Sequence, residues 1–213
     1  MTYDILQTGS KGNAMVINNQ ILIDCGVPFK KLNLYYKNIA LVLLTHQHCD
    51  HFNKSTIKRL AKERPTLRFA CGKFLVSFLQ ECGVRNIDIL ENDHTYGYGI
   101  CTVTPVRLVH NVECFGYKII LGDEKIFYAT DTNSLEHISA PNFDYYFVEA
   151  NYEDEEIMER IAEKEVQGMY AYEHDVLNNH LSKAKCDAWL EINKGDHSKI
   201  TFMHKHGGGI WQS

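Results

Sequence analysis

Hydrophobic positions in this chain fall in short blocks over most of its length, and only a few segments carry helical spacing. Residues 3–7 (YDILQ), 14–18 (AMVIN) and 21–26 (ILIDCG) are three early blocks. The turn-rich TGSKGN divides the first two, and Asn18-Asn19-Gln20 divides the others, which predicts strand, turn and hairpin. A short helix is expected after Pro28. Residues 40–44 form a continuous apolar run, as in a strand buried on both faces. Helical spacing takes over from Ser55 to Glu63, with Pro65 as a stop signal. Further on, 67–72 reads as a strand and 74–83 as a helix closed by Gly83. Residues 101–109, 114–121, 125–130 and 143–150 read as strands, 153–165 and 182–193 as helices, and 199–203 as a last strand. Strand-rich halves with helices after each predict an α+β chain, two sheets packed face to face and covered outside by helices. A length of 213 residues fits one domain, 1–213, better than two.

Composition narrows the class. The chain is 45% hydrophobic and 23% charged, ordinary for a soluble globular protein. Its first residues lack a basic region followed by an apolar run, and no apolar stretch approaches ~20 residues, so neither a secretory signal nor a membrane span is expected. The seven cysteines are odd in number and include no C-x-x-C pair, which argues for reduced thiols in a cytoplasmic protein. Charge is uneven. Residues 1–80 carry 11 Lys or Arg against 4 Asp or Glu, and the remainder carries 11 against 23. The basic first third leaves room for an anionic substrate.

The chemistry concentrates in Thr45-His46-Gln47-His48-Cys49-Asp50-His51, directly after the apolar run. Side chains two apart on an extended segment point the same way, so His46 and His48 can reach one ion. Asp50 and His51 lie further round the turn and can reach a second. Imidazole and carboxylate together suit Zn²⁺, Mn²⁺ or Fe²⁺ without a thiolate. The TGSKGN turn, with Ser10 and Asn13, could present groups to a phosphate. A stretch of seven basic side chains (Lys54, Lys58, Arg59, Lys62, Arg64, Arg68 and Lys73) follows the histidine loop. It reads either as a solvated helix face or as a phosphate-tracking surface.

The H-x-H-x-D-H string resembles the signature of the metallo-β-lactamase superfamily, and other segments resemble its remaining motifs in order. ILIDCG resembles an early strand ending in a structural aspartate, Asp24. Arg107-Leu108-Val109-His110, Tyr128-Ala129-Thr130-Asp131-Thr132 and Asn179-His180-Leu181-Ser182 resemble the later ones. Together with TGSKGN and Glu149-Ala150-Asn151, these segments resemble the YycJ/WalJ group, relatives of the RNase J and RNase Z nucleases. The resemblance implies an αββα sandwich of two mixed sheets flanked by helices, and two divalent ions, zinc or manganese with iron possible. It assigns His46, His48 and His110 to one ion and Asp50, His51 and His180 to the other, with Asp131 bridging.

The activity implied is metal-assisted hydrolysis, in which the ions lower the pKa of water and stabilise developing negative charge. Asp50 or Asp131 would accept a proton from the water, and His204 would stabilise or protonate the leaving oxygen. Ser10, Asn13 and His206 would contact substrate. A nucleic acid or other phosphodiester is the expected partner. Two other classes stay open: hydrolysis of a small carbonyl substrate such as a lactone or thioester, and a redox or non-catalytic member of the fold.

Overall fold

The computed structural model describes residues 1–205. The chain forms two compact units, one spanning Met1–Tyr96 and another starting at Gly97.

In the first unit, six strands form a mixed sheet in sequence order. They are β1 (Tyr3–Gln7), β2 (Ala14–Ile17), β3 (Ile21–Ile23), β4 (Leu41–Leu44), β5 (Arg68–Gly72) and β6 (Ile87–Leu90). The hairpin between β2 and β3 turns through Asn18 and Asn19, both left-handed at φ 45° and 57°, a conformation asparagine tolerates better than most residues. From β3 onward the pairing is parallel, and β3 and β4 are buried on both faces, as their unbroken apolar character requires. A 3₁₀ turn, Phe29–Leu32, follows Pro28.

Helix α1 (Lys54–Glu63) starts three residues after His51. Asn53 caps it by accepting from the Thr56 amide at 3.1 Å, and the Thr56 hydroxyl donates to the Val27 carbonyl at 2.7 Å. Ile57 and Leu60 then point into a core with Val42, Leu44, Phe52 and Phe69. Helix α2 (Val76–Glu81) ends before Gly83, whose φ of 83° closes the turn.

The second sheet is ordered β12-β11-β10-β9-β8-β7. Its members are β7 (Tyr96–Gly97), β8 (Thr102–Arg107), β9 (Phe115–Leu121), β10 (Glu124–Ala129), β11 (Tyr145–Glu149) and β12 (Lys199–Met203). Strands β8, β9 and β10 run antiparallel, while β10, β11 and β12 are parallel, so the carboxyl ends of these last three share one edge. Helices α3 (Asp154–Val166), α4 (Glu173–Asn179) and α5 (Lys183–Asn193) belong to this unit. Ser182 caps α5, and Trp189 stacks on Phe127 at 5.0 Å while donating to the Ile138 carbonyl. Among the described residues the sheets are thus both mixed and six-stranded, accompanied by five α-helices. No helix among the described residues is long and apolar enough to cross a membrane.

The pattern of apolar blocks anticipated most of these elements. It did not anticipate β6, β7 or α4. Strand β7 has two residues, and α4 has the sequence EHDVLNN, in which Glu173 is the one buried residue. Neither carries an apolar period to read.

Candidate functional site

In the first unit the chemistry gathers where β3 and β4 end. The chain leaves β3 at Asp24, which takes a left-handed conformation (φ 59°), and leaves β4 at Thr45-His46. Asp24 is fully buried. Its Oδ1 accepts from the Thr45 amide and hydroxyl, each at 2.9 Å, and its Oδ2 lies 2.6 Å from Nδ1 of His51. A carboxylate that accepts a hydrogen bond from Nδ1–H fixes the tautomer and leaves the lone pair on Nε2. His46 is buried and its Nε2 lies 3.0 Å from Nδ1 of the half-buried His48. His46 packs on His51 with ring centroids 4.3 Å apart. Asp50 Oδ2 lies 3.6 Å from His51 Nε2.

Backbone contacts staple this loop to the strands. The Cys25 amide donates to the His51 carbonyl at 2.9 Å, and the Asn13 amide to the Asp50 carbonyl at 2.6 Å. Gly26 allows the approach, since a Cβ there would sit 1.7 Å from the Asp50 carbonyl oxygen.

Asn13, expected to contact substrate, is fully buried. Its Oδ1 accepts from the Gly9 amide at 2.8 Å, and its Nδ2 reaches His51 Nε2 at 2.7 Å and the Asp50 carbonyl at 3.3 Å. It ties the TGSKGN turn to the histidine loop rather than facing solvent. The amides of Gly9, Gly12 and Asn13 are all used inside this unit, so those three are not offered to a phosphate. Ser10 is exposed at the tip of the turn.

The second unit builds its cluster at the shared carboxyl edge of β10, β11 and β12. Asp131 follows β10, Glu149 ends β11 and His204 follows β12. Asp131 and His204 are both left-handed, at φ 58° and 56°. His180 joins them from the C-terminal end of α4. Asp131, Glu149, His180 and His204 bring one ligand atom each within 4.8 Å of the others.

Glu149 is fully buried and organises this group. Its Oε1 lies 2.6 Å from His180 Nδ1 and 3.3 Å from His204 Nδ1, and its Oε2 accepts from the Thr132 amide at 2.8 Å. Burial alone would raise the Glu149 carboxyl, but the His180 charge and the hydrogen bonds from His180 and His204 outweigh it and hold the group below its ordinary value. Burial works the other way on His180, where the Glu149 carboxylate prevails and raises the imidazole. The ring of His204 has Glu149 on one nitrogen and Asp131 Oδ1 3.4 Å from the other, and Asn151 Nδ2 lies 2.7 Å from its carbonyl.

His110 stands 5.6 Å from His180 between ring centroids, with Nδ1 3.1 Å from the Asn179 carbonyl. Asn133 Nδ2 donates to the Leu177 carbonyl at 2.6 Å, so the last carbonyls of α4 orient two loops at once. His174, a neighbour of His180 in sequence, is exposed and 3.4 Å from Glu165, away from this cluster. His206 lies outside the described residues.

Both clusters offer imidazole and carboxylate donors, a set that fits divalent metal binding. The family described as beta-lactamase superfamily domain matches residues 19–184. The chain belongs to that family. The matched span runs from the β2–β3 hairpin to the start of α5, and so includes every ligand candidate from His46 to His180.

Solved structures share the superfamily fold. The metallo-β-lactamase fold protein YhfI from Bacillus subtilis superposes with a TM-score of 0.75 at 16% identity, over 97% of this chain and 87% of that one. The short form of human tRNase Z gives 0.70 at 14%, over 97% and 93%. The Zn²⁺-bound PqqB from Methylobacterium extorquens gives 0.70 at 12%, over 97% and 89%. No curated protein matches the sequence.

Sequence reasoning placed Glu149 inside a motif without giving it a task. Its only signal was a charged residue at the end of an otherwise apolar strand, YYFVE, which is buried throughout.

Proposed function

We propose that this chain is a metal-dependent phosphodiesterase acting on nucleic acid. The observation that carries the reading is the repeated dyad: in each unit a wholly buried carboxylate sits 2.6 Å from Nδ1 of a histidine, Asp24 with His51 and Glu149 with His180. Such pairs prepare imidazoles to ligate metal. The basic balance of residues 1–80 favours an anionic substrate over a neutral one. The fold likeness to a protein named as a tRNase and the resemblance to the YycJ/WalJ nucleases point the same way.

On the motif correspondence, His46, His48 and His110 would hold one divalent cation and Asp50, His51 and His180 a second, with Asp131 as a further ligand. A cation pair supplies Lewis-acid polarisation and activation of water near neutral pH. Asp24 and Glu149 keep the ligand imidazoles in one tautomer. Asp50 accepts a proton from the attacking water, and His204, with a carboxylate at each ring nitrogen, carries one to the leaving oxygen.

The test is a panel of bis-p-nitrophenyl phosphate, 5′-labelled DNA, a lactone and a thioester, each with Zn²⁺ and with Mn²⁺. Turnover of the phosphodiesters, abolished in His48→Ala and Asp50→Ala proteins that remain folded, is the expected result. Turnover of the carbonyl substrates alone would overturn the substrate class. Full activity in either variant would overturn the ligand assignment.

A further inference from the structure

The seven basic residues after the histidine loop are equivalent in sequence, but the fold gives them different employment. Lys54 pairs with Glu81 at 3.3 Å. Arg59 lies 4.0 Å over the Phe29 ring and 3.8 Å from Glu63. Arg64 donates to the Tyr36 and Lys37 carbonyls at 2.6 Å each, which makes it a structural clasp. Arg68 pairs with Asp88 at 2.9 Å.

Lys58 and Lys62 differ. They stand four residues apart on α1, hence on one face and about 6 Å apart along the axis. Across from them is Arg85, just past the turn that closes α2. The three cations line a cavity of about 320 Å³ whose other walls are Ala61, Pro65, Cys82 and Gly83. The lining contains no carboxylate among the described residues. Among the described residues, none gives the side chain of Lys58, Lys62 or Arg85 a hydrogen bond or ion pair. A Cβ built on Gly83 would meet nothing within 4 Å, so this wall of the cavity faces open space.

Like charges at i and i+4 destabilise a helix, and a third converging from another element adds to the repulsion. A concave group of this kind suits an anion with several acceptor oxygens, which an arginine fork and two ammonium groups can share. We infer that Lys58, Lys62 and Arg85 form a phosphate-binding exosite that grips the backbone of a nucleic-acid strand. The choice of nucleic acid as the source of the phosphate rests on the function proposed above. The site itself contributes grip without sequence preference, since phosphate contacts position a strand and do not read its bases.

The test measures binding on the full chain with its metal, using a fluorescein-labelled 20-nucleotide phosphorothioate DNA between 50 and 200 mM NaCl. Each phosphate contact on a single strand contributes about 0.7 to the slope of log affinity against log salt. The Lys58→Ala/Lys62→Ala/Arg85→Ala protein should therefore show a slope shallower by about 2, and affinity at least tenfold weaker at 50 mM. If that triple variant fails to fold, Lys62→Gln/Arg85→Gln should flatten the slope by about 1.4. A titration with inorganic phosphate separates the two sources of the anion. Phosphate binding lost in the variant, with DNA affinity unchanged, overturns the backbone grip. An unchanged salt slope, or binding of polyglutamate in preference to DNA, overturns the site. Altered salt dependence without any hydrolysis of the 5′-labelled phosphodiester DNA would remove the nuclease reading alone. Hydrolysis with native binding in the variant would remove the exosite alone.

Discussion

Oδ2 of Asp24 lies 2.6 Å from Nδ1 of His51, with both side chains shielded completely from solvent. Because Asp24 is left-handed, its replacements separate charge from conformation. Asn tolerates that backbone and can still accept from the Thr45 amide, but brings no charge to the imidazole. Asp24→Asn should weaken metal affinity about 10- to 100-fold in a chelator-competition titration. Asp24→Ala should do the same and also lose about 2 kcal/mol of stability, from left-handed strain and the stranded Thr45 donors. Native metal affinity in Asp24→Asn would show that the dyad does not serve ligation.

Glu149 holds His180, His204 and the Thr132 amide together. Removing it leaves buried donors without their acceptor, so Glu149→Ala should cost about 3 kcal/mol in a denaturant titration. Glu149→Gln keeps the shape and should recover part of that stability while still binding metal more weakly. A Gln variant equal to wild type in both measurements would make the charge irrelevant.

Gly26 is where the histidine loop rests on the strands. A Cβ there would overlap the Asp50 carbonyl oxygen at 1.7 Å and the His51 nitrogen at 2.8 Å, contacts with backbone that no rotamer change relieves. Gly26→Ala should lose about 3 kcal/mol, which lowers the thermal midpoint by roughly 6–12 °C in a protein of this size. Gly97→Ala, with nothing within 4 Å of the added carbon, is the control expected to be near neutral.

Cys49 is the one exposed cysteine of seven. Burial pushes the Cys71 thiol up to about 12 and the Cys101 thiol to about 11, and it raises Cys25, Cys82 and Cys186 as well. Thiolate is the reactive form, so native protein at pH 8 should release close to one equivalent of thionitrobenzoate from Ellman's reagent quickly. Cys49→Ser should abolish that phase. Several fast thiols in the native protein would contradict the burial pattern.

Metal removal gives a further check. A ligand present at about a thousand times its dissociation constant stabilises the folded state by about 4 kcal/mol. Stripping with chelator should therefore lower the thermal midpoint by roughly 8–16 °C, reversibly on adding Zn²⁺ or Mn²⁺. His48→Ala protein should respond far less. An identical midpoint with and without chelator would count against bound cations.

What could be read from residue order alone was local. Apolar runs marked most strands, since burial on both faces leaves no room for polar alternation. His46, His48, Asp50 and His51 announced ligand chemistry because they are crowded into one turn. Partner choice was decided by the tertiary structure. Asp24 and Glu149 find their histidines 27 and 31 residues away, and nothing in the intervening sequence encodes the 2.6 Å approach. Folding also turned Asn13 inward, where its amide is consumed by backbone and His51. It left Lys58, Lys62 and Arg85 facing one cavity while neighbouring cations were neutralised. A charge or an amide acquires its role from what lies within a few ångströms, and that neighbourhood exists only after strands distant in sequence have paired.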